Sequence, residues 1–142
     1  MTFRSRANEV AYSKYRQANP HKGCPFCAFS QNDGQTVSET SKFWVARNIF
    51  PYSIWEGLPV IEHLMITPKR HVDSLHHFTP AESKEYMTLL GDYDKLGYSV
   101  YTRASSNVSK SVAHQHTHLL KLGTKVAKVS LYLKRPYMLW YR

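Results

Sequence analysis

Cysteine is scarce in this chain. The two residues present are spaced as Cys24-Pro25-Phe26-Cys27, which excludes the disulfide framework of a small secreted domain. No apolar run approaches the ~20 residues that a membrane-crossing helix requires. The opening MTFRSRANEV carries charge but no apolar segment of signal-peptide type, so a cytoplasmic chain without membrane association is expected. Repeats and low-complexity linkers are missing too, and a single domain over residues 1–142 is the expected organisation. Acidic residues are few: ten Asp and Glu stand against nineteen Lys and Arg, a formal charge of +9. That excess favours anionic partners such as phosphate esters, nucleotides or nucleic acid, through a field that steers rather than specifies.

What the chain does have is histidine in an unusual pattern. In KSVAHQHTHLL, Lys110 to Leu120, three histidines recur at every second position. Successive side chains of an extended strand point to opposite faces, so His114, His116 and His118 would stand in a row with Gln115 and Thr117 behind them. A helix would scatter the same residues around its circumference, and the segment lacks proline and glycine, so a strand is predicted. Neutral imidazole is both a nucleophile and a metal ligand, and this row suits either chemistry.

The remaining elements follow from pattern. Ala7 to Gln17 reads as a short helix ended by Asn19-Pro20, with Tyr12 and Tyr15 packing. The Cys-x-x-Cys falls in a loop. Alone it suits a glutaredoxin-like thiol or a zinc site, but Asn32-Asp33-Gly34 signals a turn where a redox helix would run. FWVARNIF reads as a strand up to Pro51, followed by an aromatic loop from Tyr52 to Pro59. In the next strand, VIEHLMITP, His63, Met65 and Thr67 share one face, with Leu64 and Ile66 on the other. Asp73 to Phe78 is a connection in which His76 and His77 are solvated. Thr79-Pro80-Ala81-Glu82 is a capping box, and Tyr86, Leu89, Leu90, Tyr93 and Leu96 then recur at helical spacing up to Gly97. Strands are predicted over Tyr98 to Ser105 and Val126 to Leu133, and the C-terminal RPYMLWYR is basic and aromatic. With short connections, this order gives an α+β domain: a mostly antiparallel sheet of about five strands, one main helix and a short N-terminal helix.

HQHTHLL, preceded by Ser-Val, resembles the histidine triad (HIT) signature, His-x-His-x-His followed by two apolar residues. IEHLMITPKRH resembles the family's strand ending in Pro-Lys-x-His, and GCPFC lies where many members carry Cys-x-x-Cys. In chain order, from GCPFC to HQHTHLL, the three motifs cover most of the chain from Cys24 to Leu122. Asn107 to Ser111 resembles the dinucleoside polyphosphate phosphorylase and hexose-1-phosphate uridylyltransferase branch, whereas Gln115 and Thr117 stand where the family is often apolar.

The resemblance implies the HIT fold, often as a pair of subunits, and an enzyme that hydrolyses or transfers a nucleoside monophosphate group through a nucleotidyl-histidine intermediate. Its implied nucleophile is His116, with His118, His63 and Ser111 assisting. Asn48, Asn107, Lys110 and Gln115 are the implied substrate contacts, the substrate being a nucleotide or dinucleotide. A structural zinc ion held by Cys24, Cys27, His71 and His114 is the implied cofactor. The alternative is a zinc-stabilised module that binds a nucleotide or nucleic acid without turnover.

Overall fold

The computed structural model describes residues 2–19, 23–125, 130–134 and 137–141. In chain order the elements are β1 (Thr2–Phe3), α1 (Arg6–Ala18), β2 (Thr36–Glu39), β3 (Phe43–Arg47), β4 (Ile54–Trp55) and β5 (Leu58–Pro68). A 3-10 turn (Leu75–His77), α2 (Pro80–Lys95), β6 (Tyr98–Thr102), β7 (Thr117–Leu122), β8 (Ser130–Lys134) and β9 (Tyr137–Tyr141) follow. Every strand pairing is antiparallel. The fold is the expected α+β arrangement, a mostly antiparallel sheet with one main helix and an N-terminal helix.

β5 is the strand on which the sheet is built. It pairs with β3 on one side and β7 on the other, β2 and β6 extend these flanks, and β4 with β1 continues from its N-terminal end. Alternation along β5 and β7 separates two faces. Leu64, Ile66 and Leu119 enter a core with Phe43, Val45, Tyr86, Leu89 and Tyr98, each large apolar side chain stabilising by about 1.5–3 kcal/mol when fully buried. Thr117 is buried on the same side because its Oγ1 meets the Tyr86 hydroxyl at 2.7 Å. The opposite face presents Met65, His116 and His118 to a cavity.

α2 begins with the predicted capping box. Thr79 Oγ1 accepts from the Glu82 N–H, and the Glu82 carboxylate accepts from the Thr79 N–H. The same carboxylate receives two bonds from Arg70, at 3.0 and 2.7 Å, and Arg70 holds its pKa down at about 2. One buried acid thus ties the helix start to the chain just beyond β5. Gly97, at φ +80, closes the helix in the left-handed conformation that favours glycine.

Several sequence expectations are corrected. Leu96 is 59% exposed rather than part of the core face. β3 stops at Arg47, short of Pro51, and β6 stops at Thr102, short of Ser105. The Tyr52–Pro59 loop contains a hairpin, β4 to β5, turned by Glu56 and Gly57, both at positive φ, as a tight two-residue connection requires. β2 was not foreseen. Asp33 accepts backbone N–H bonds from Ser30, Gln35 and Thr36, and the turn it closes launches β2. The strand predicted over Val126 to Leu133 appears as β8, paired with β9 in a hairpin separate from the main sheet, and its first four positions lie outside the described residues. Among the described residues, no helix is long and apolar enough to cross a membrane.

Candidate functional site

The histidine segment departs from the single predicted strand. β7 begins only at Thr117, and His114 to His116 approach it outside the sheet. The reason lies in the backbone bonding, since the Gln115 N–H donates to the Val72 carbonyl (2.6 Å) rather than to a strand. The side chains still alternate, but the bend sends the first histidine to a different place from the other two.

His114 joins Cys24, Cys27 and His71, and one donor atom from each lies within 4.8 Å of all the others. Cys24 Sγ is 3.3 Å and Cys27 Sγ 3.5 Å from His114 Nδ1, and Cys27 Sγ is 3.2 Å from His71 Nδ1. Zinc bond lengths of about 2.3 Å to sulfur and 2.0–2.1 Å to nitrogen, at tetrahedral angles, separate S and N by about 3.5 Å. His114 Nε2 lies 2.9 Å from the Pro68 carbonyl. That bond requires the proton on Nε2 and leaves the Nδ1 lone pair aimed at the thiols, the outer bond typical of a metal-ligating histidine. Partial burial and the adjacent Cys24 push the Cys27 thiol up, a cost that a divalent cation reverses. The donor set, its spacing and its tautomer all fit zinc.

His116 and His118 line a cavity of about 550 Å³. His116 Nδ1 is 2.8 Å from the carbonyl of His114, so Nδ1 carries the proton and Nε2 holds a free lone pair. The acceptor lies two residues back on the same segment. Burial lowers the His116 pKa to about 4, against the opposing pull of that carbonyl, so the ring is neutral at pH 7.

A second chain of bonds fixes His118. The Tyr52 N–H donates to His63 Nδ1 (3.1 Å), which forces the proton of a neutral His63 onto Nε2. That atom faces His118 Nδ1 at 2.9 Å, so His118 in turn carries its proton on Nε2. His118 Nε2 is buried without a hydrogen-bond partner, an orphaned polar atom on a residue that lines the cavity. Burial is the main cause holding both rings neutral. His63 falls to about 3, with Arg4 and His116 adding to the effect, and His118 lies well below its ordinary value.

The other predicted site residues divide between cavity and scaffold. Ser111 and Asn48 line the cavity. Asn48 Oδ1 accepts from the Phe50 N–H, and its Nδ2 lies 3.2 Å from His63 Nε2. His63 stands behind His118 and is absent from the cavity wall. Lys110 Nζ is bound to the Asp73 carbonyl and to Gln115 Oε1 (2.6 and 2.8 Å), while Gln115 Nε2 reaches Thr102 Oγ1. Asn107 Oδ1 closes its own turn by accepting from Ser109. Lys110, Gln115 and Asn107 therefore brace the segment that presents His116 and do not line the cavity.

Sequence reasoning missed Arg103. It follows β6, lines the cavity, and has a buried Nε without a partner. Its signal was present, because Tyr101, two residues earlier, pairs with His118, and residues two apart share a face. The aromatic wall was missed as well. Tyr12 and Tyr15 of α1 pack on Phe50 (5.1 and 5.3 Å between centroids), Phe26 stacks on Phe29 (5.4 Å), and all five line the cavity. Such faces suit a planar heterocycle, and the polar donors near His116 suit an anion.

No family model and no curated protein matches the chain. Solved structures do. A HIT family hydrolase from Legionella pneumophila is 25% identical, the match covering 69% of this chain and 91% of that one with a TM-score of 0.52. A HIT family hydrolase from Clostridium thermocellum is 18% identical over 75% and 96% (TM-score 0.54). A histidine triad nucleotide-binding protein from Candida albicans is 21% identical over 79% and 87% (TM-score 0.52). The chain has the histidine triad fold and carries the histidine triad motif on it.

Proposed function

We propose that this chain, acting as a single HIT-like domain, is a nucleotide-processing enzyme that forms a nucleotidyl-histidine intermediate on His116. The observation that carries the reading is the His116 tautomer. With Nδ1–H given to the His114 carbonyl, Nε2 is a buried, neutral nucleophile facing the cavity. The base would lie between the aromatic faces and the phosphate against His118 Nε2–H, a donor already oriented through His63 and Tyr52. Such preorganised donors stabilise charge developing on non-bridging oxygens without reorganisation. Water or a second nucleophile then takes the nucleotide from the histidine, which splits one difficult displacement into two. The chain's likeness to the Legionella HIT family hydrolase, at 25% identity, supports this direction.

In the same reading, Cys24, Cys27, His71 and His114 hold a structural zinc ion. Zinc supplies a closed cross-link there between the N-terminal loop and the segment leading to His116. A cytoplasmic setting agrees with two thiols kept reduced for such a site. Pairing of two subunits rests on the family resemblance.

The test is intact mass after brief incubation with a panel of dinucleotides and nucleoside phosphoramidates. A gain of one nucleoside monophosphate, lost in acid and retained in alkali, is expected. Binding of panel members with no adduct and no turnover would instead indicate the non-catalytic module.

A further inference from the structure

His116 faces the cavity, and the residue before it turns into a set of buried polar groups that the chemistry above does not use. Gln115 is almost wholly enclosed, and a buried amide is costly unless it is bonded. Both ends of this amide are bonded. Lys110 Nζ, itself bound to the Asp73 carbonyl (2.6 Å), lies 2.8 Å from Gln115 Oε1. Gln115 Nε2 lies 2.6 Å from Thr102 Oγ1, and Thr102 Oγ1 lies 3.2 Å from the carbonyl of His116. The direction of every bond in this series is forced. An ammonium only donates, so the amide oxygen must face Lys110 and the amide N–H must face Thr102. The Thr102 hydroxyl, accepting that N–H, gives its single proton to the His116 carbonyl, which only accepts. Bonds aligned head to tail from a charged donor polarise one another.

His116 needs such an anchor because the sheet does not supply one. The ladder between β6 and β7 ends at the pair Thr102 and Thr117, so the residue that carries the free Nε2 precedes it. The peptide before Gln115 and the peptide after His116 are held separately. In the first, the Gln115 N–H donates to the Val72 carbonyl (2.6 Å). The His114 carbonyl belongs to the same planar unit and points the opposite way, to His116 Nδ1 at 2.8 Å. In the second, the His116 carbonyl is held by Thr102 Oγ1. Gln115 takes part in both: its N–H aims the first peptide, and its side chain orients the hydroxyl that grips the second.

We propose that Gln115 is a positioning residue for the nucleophile, acting through the Thr102 hydroxyl on the backbone of His116. The inference rests on the His116 reading and deepens it. Gln115 does not line the cavity. It fixes the direction from which Nε2 approaches phosphorus, so its loss should slow bond formation and leave substrate binding alone. An attacking atom misplaced by about 1 Å can cost on the order of 10²-fold in rate.

Gln115→Glu is the discriminating substitution. The carboxylate keeps the shape of the amide and the acceptor for Lys110, but it has no donor for Thr102. The hydroxyl then turns to the carboxylate and leaves the His116 carbonyl. Thr102→Val removes the same bond with no change of charge, and Thr102→Ser keeps it. Single-turnover formation of the His116 adduct is measured with two probes, a diadenosine polyphosphate and an adenosine phosphoramidate, with thermal midpoints alongside. Gln115→Glu and Thr102→Val should each lower the maximal rate of adduct formation by ~10–10², while the half-saturating probe concentration changes by less than about threefold. Thr102→Ser should keep most of the wild-type rate. The double variant Gln115→Glu/Thr102→Val should be no slower than the slower single variant, because both act through one bond. If Gln115→Glu does not fold, slowing in Thr102→Val with the rate kept in Thr102→Ser is the required result. Wild-type rates in the folded variants, a loss confined to the half-saturating concentration, or losses that multiply in the double variant overturn the assignment and leave His116 untouched. Failure of both probes to label His116 in the wild type overturns the underlying reading instead.

Discussion

His63 provides a quantitative test of the bond chain behind the site. Its ring is buried, receives the Tyr52 N–H and faces His118, and its pKa is lowered from 6.5 to about 3. The unfolded chain therefore binds a proton that the folded chain refuses, and stability must fall as pH drops from 6.5 toward 3. For this one group, the loss relative to neutral pH is about 2 kcal/mol at pH 5 and about 3 kcal/mol at pH 4, from 1.36 kcal/mol per unit of differential protonation. Burial is the largest cause, with the Arg4 charge and His116 next. His118 and His116 bend the curve in the same direction, so the His63 share must be taken by difference. His63→Gln offers one acceptor to Tyr52 and one donor to His118 but cannot titrate. Urea unfolding of both proteins at pH 7 and pH 5 should show the wild type losing about 2 kcal/mol more than the variant. Equal losses would refute the claim that His63 is held neutral by its surroundings.

Three further outcomes are expected. The purified protein should hold about one zinc per chain by elemental analysis, and Cys24→Ser should lower both zinc content and thermal midpoint, because metal affinity of the folded state is folding energy. A readily formed Cys24–Cys27 disulfide in a zinc-free protein would contradict this. Lys110→Ala should cost about 1 kcal/mol or more in chemical denaturation by freeing Gln115 and the Asp73 carbonyl. Its KM should keep the wild-type salt dependence, whereas a loss of that dependence would put the Lys110 ammonium on the substrate. Leu119→Ala, at a fully buried core position, should cost 2–5 kcal/mol at unchanged zinc content.

How legible this was from sequence differs by feature, for physical reasons. Period-two alternation along β5 placed Leu64 and Ile66 on one face and His63 and Met65 on the other, and in β7 it separated Thr117 from His118, because side-chain direction in extended chain is a local property. The α2 capping box was equally local. Cys24, Cys27, His71 and His114 were grouped only through family resemblance, and the structure brings all four donors together. Long-range partners could not be read. Lys110 looked like a phosphate ligand until its ammonium was found bound to Asp73 and Gln115. Tyr12 and Tyr15 looked like packing, and they do pack, but the Phe50 they pack on belongs to a cavity wall. β2 escaped because its four residues, Thr36 to Glu39, lie directly after a turn and are short of the apolar alternation that marks a strand.

Everything proposed for the cavity depends on His116 Nε2 forming the bond to phosphorus. The most direct measurement is peptide mapping of the labelled protein after a short exposure to substrate, with His116→Ala and His118→Ala as controls. An acid-labile, alkali-stable nucleotidyl group on His116 is expected. His116→Ala should abolish the adduct and reduce turnover by more than the ~10²–10⁴ attributed to a lost general acid or base, while His118→Ala should still form the adduct, more slowly. A label on Ser111, or near-normal turnover by His116→Ala, would contradict it.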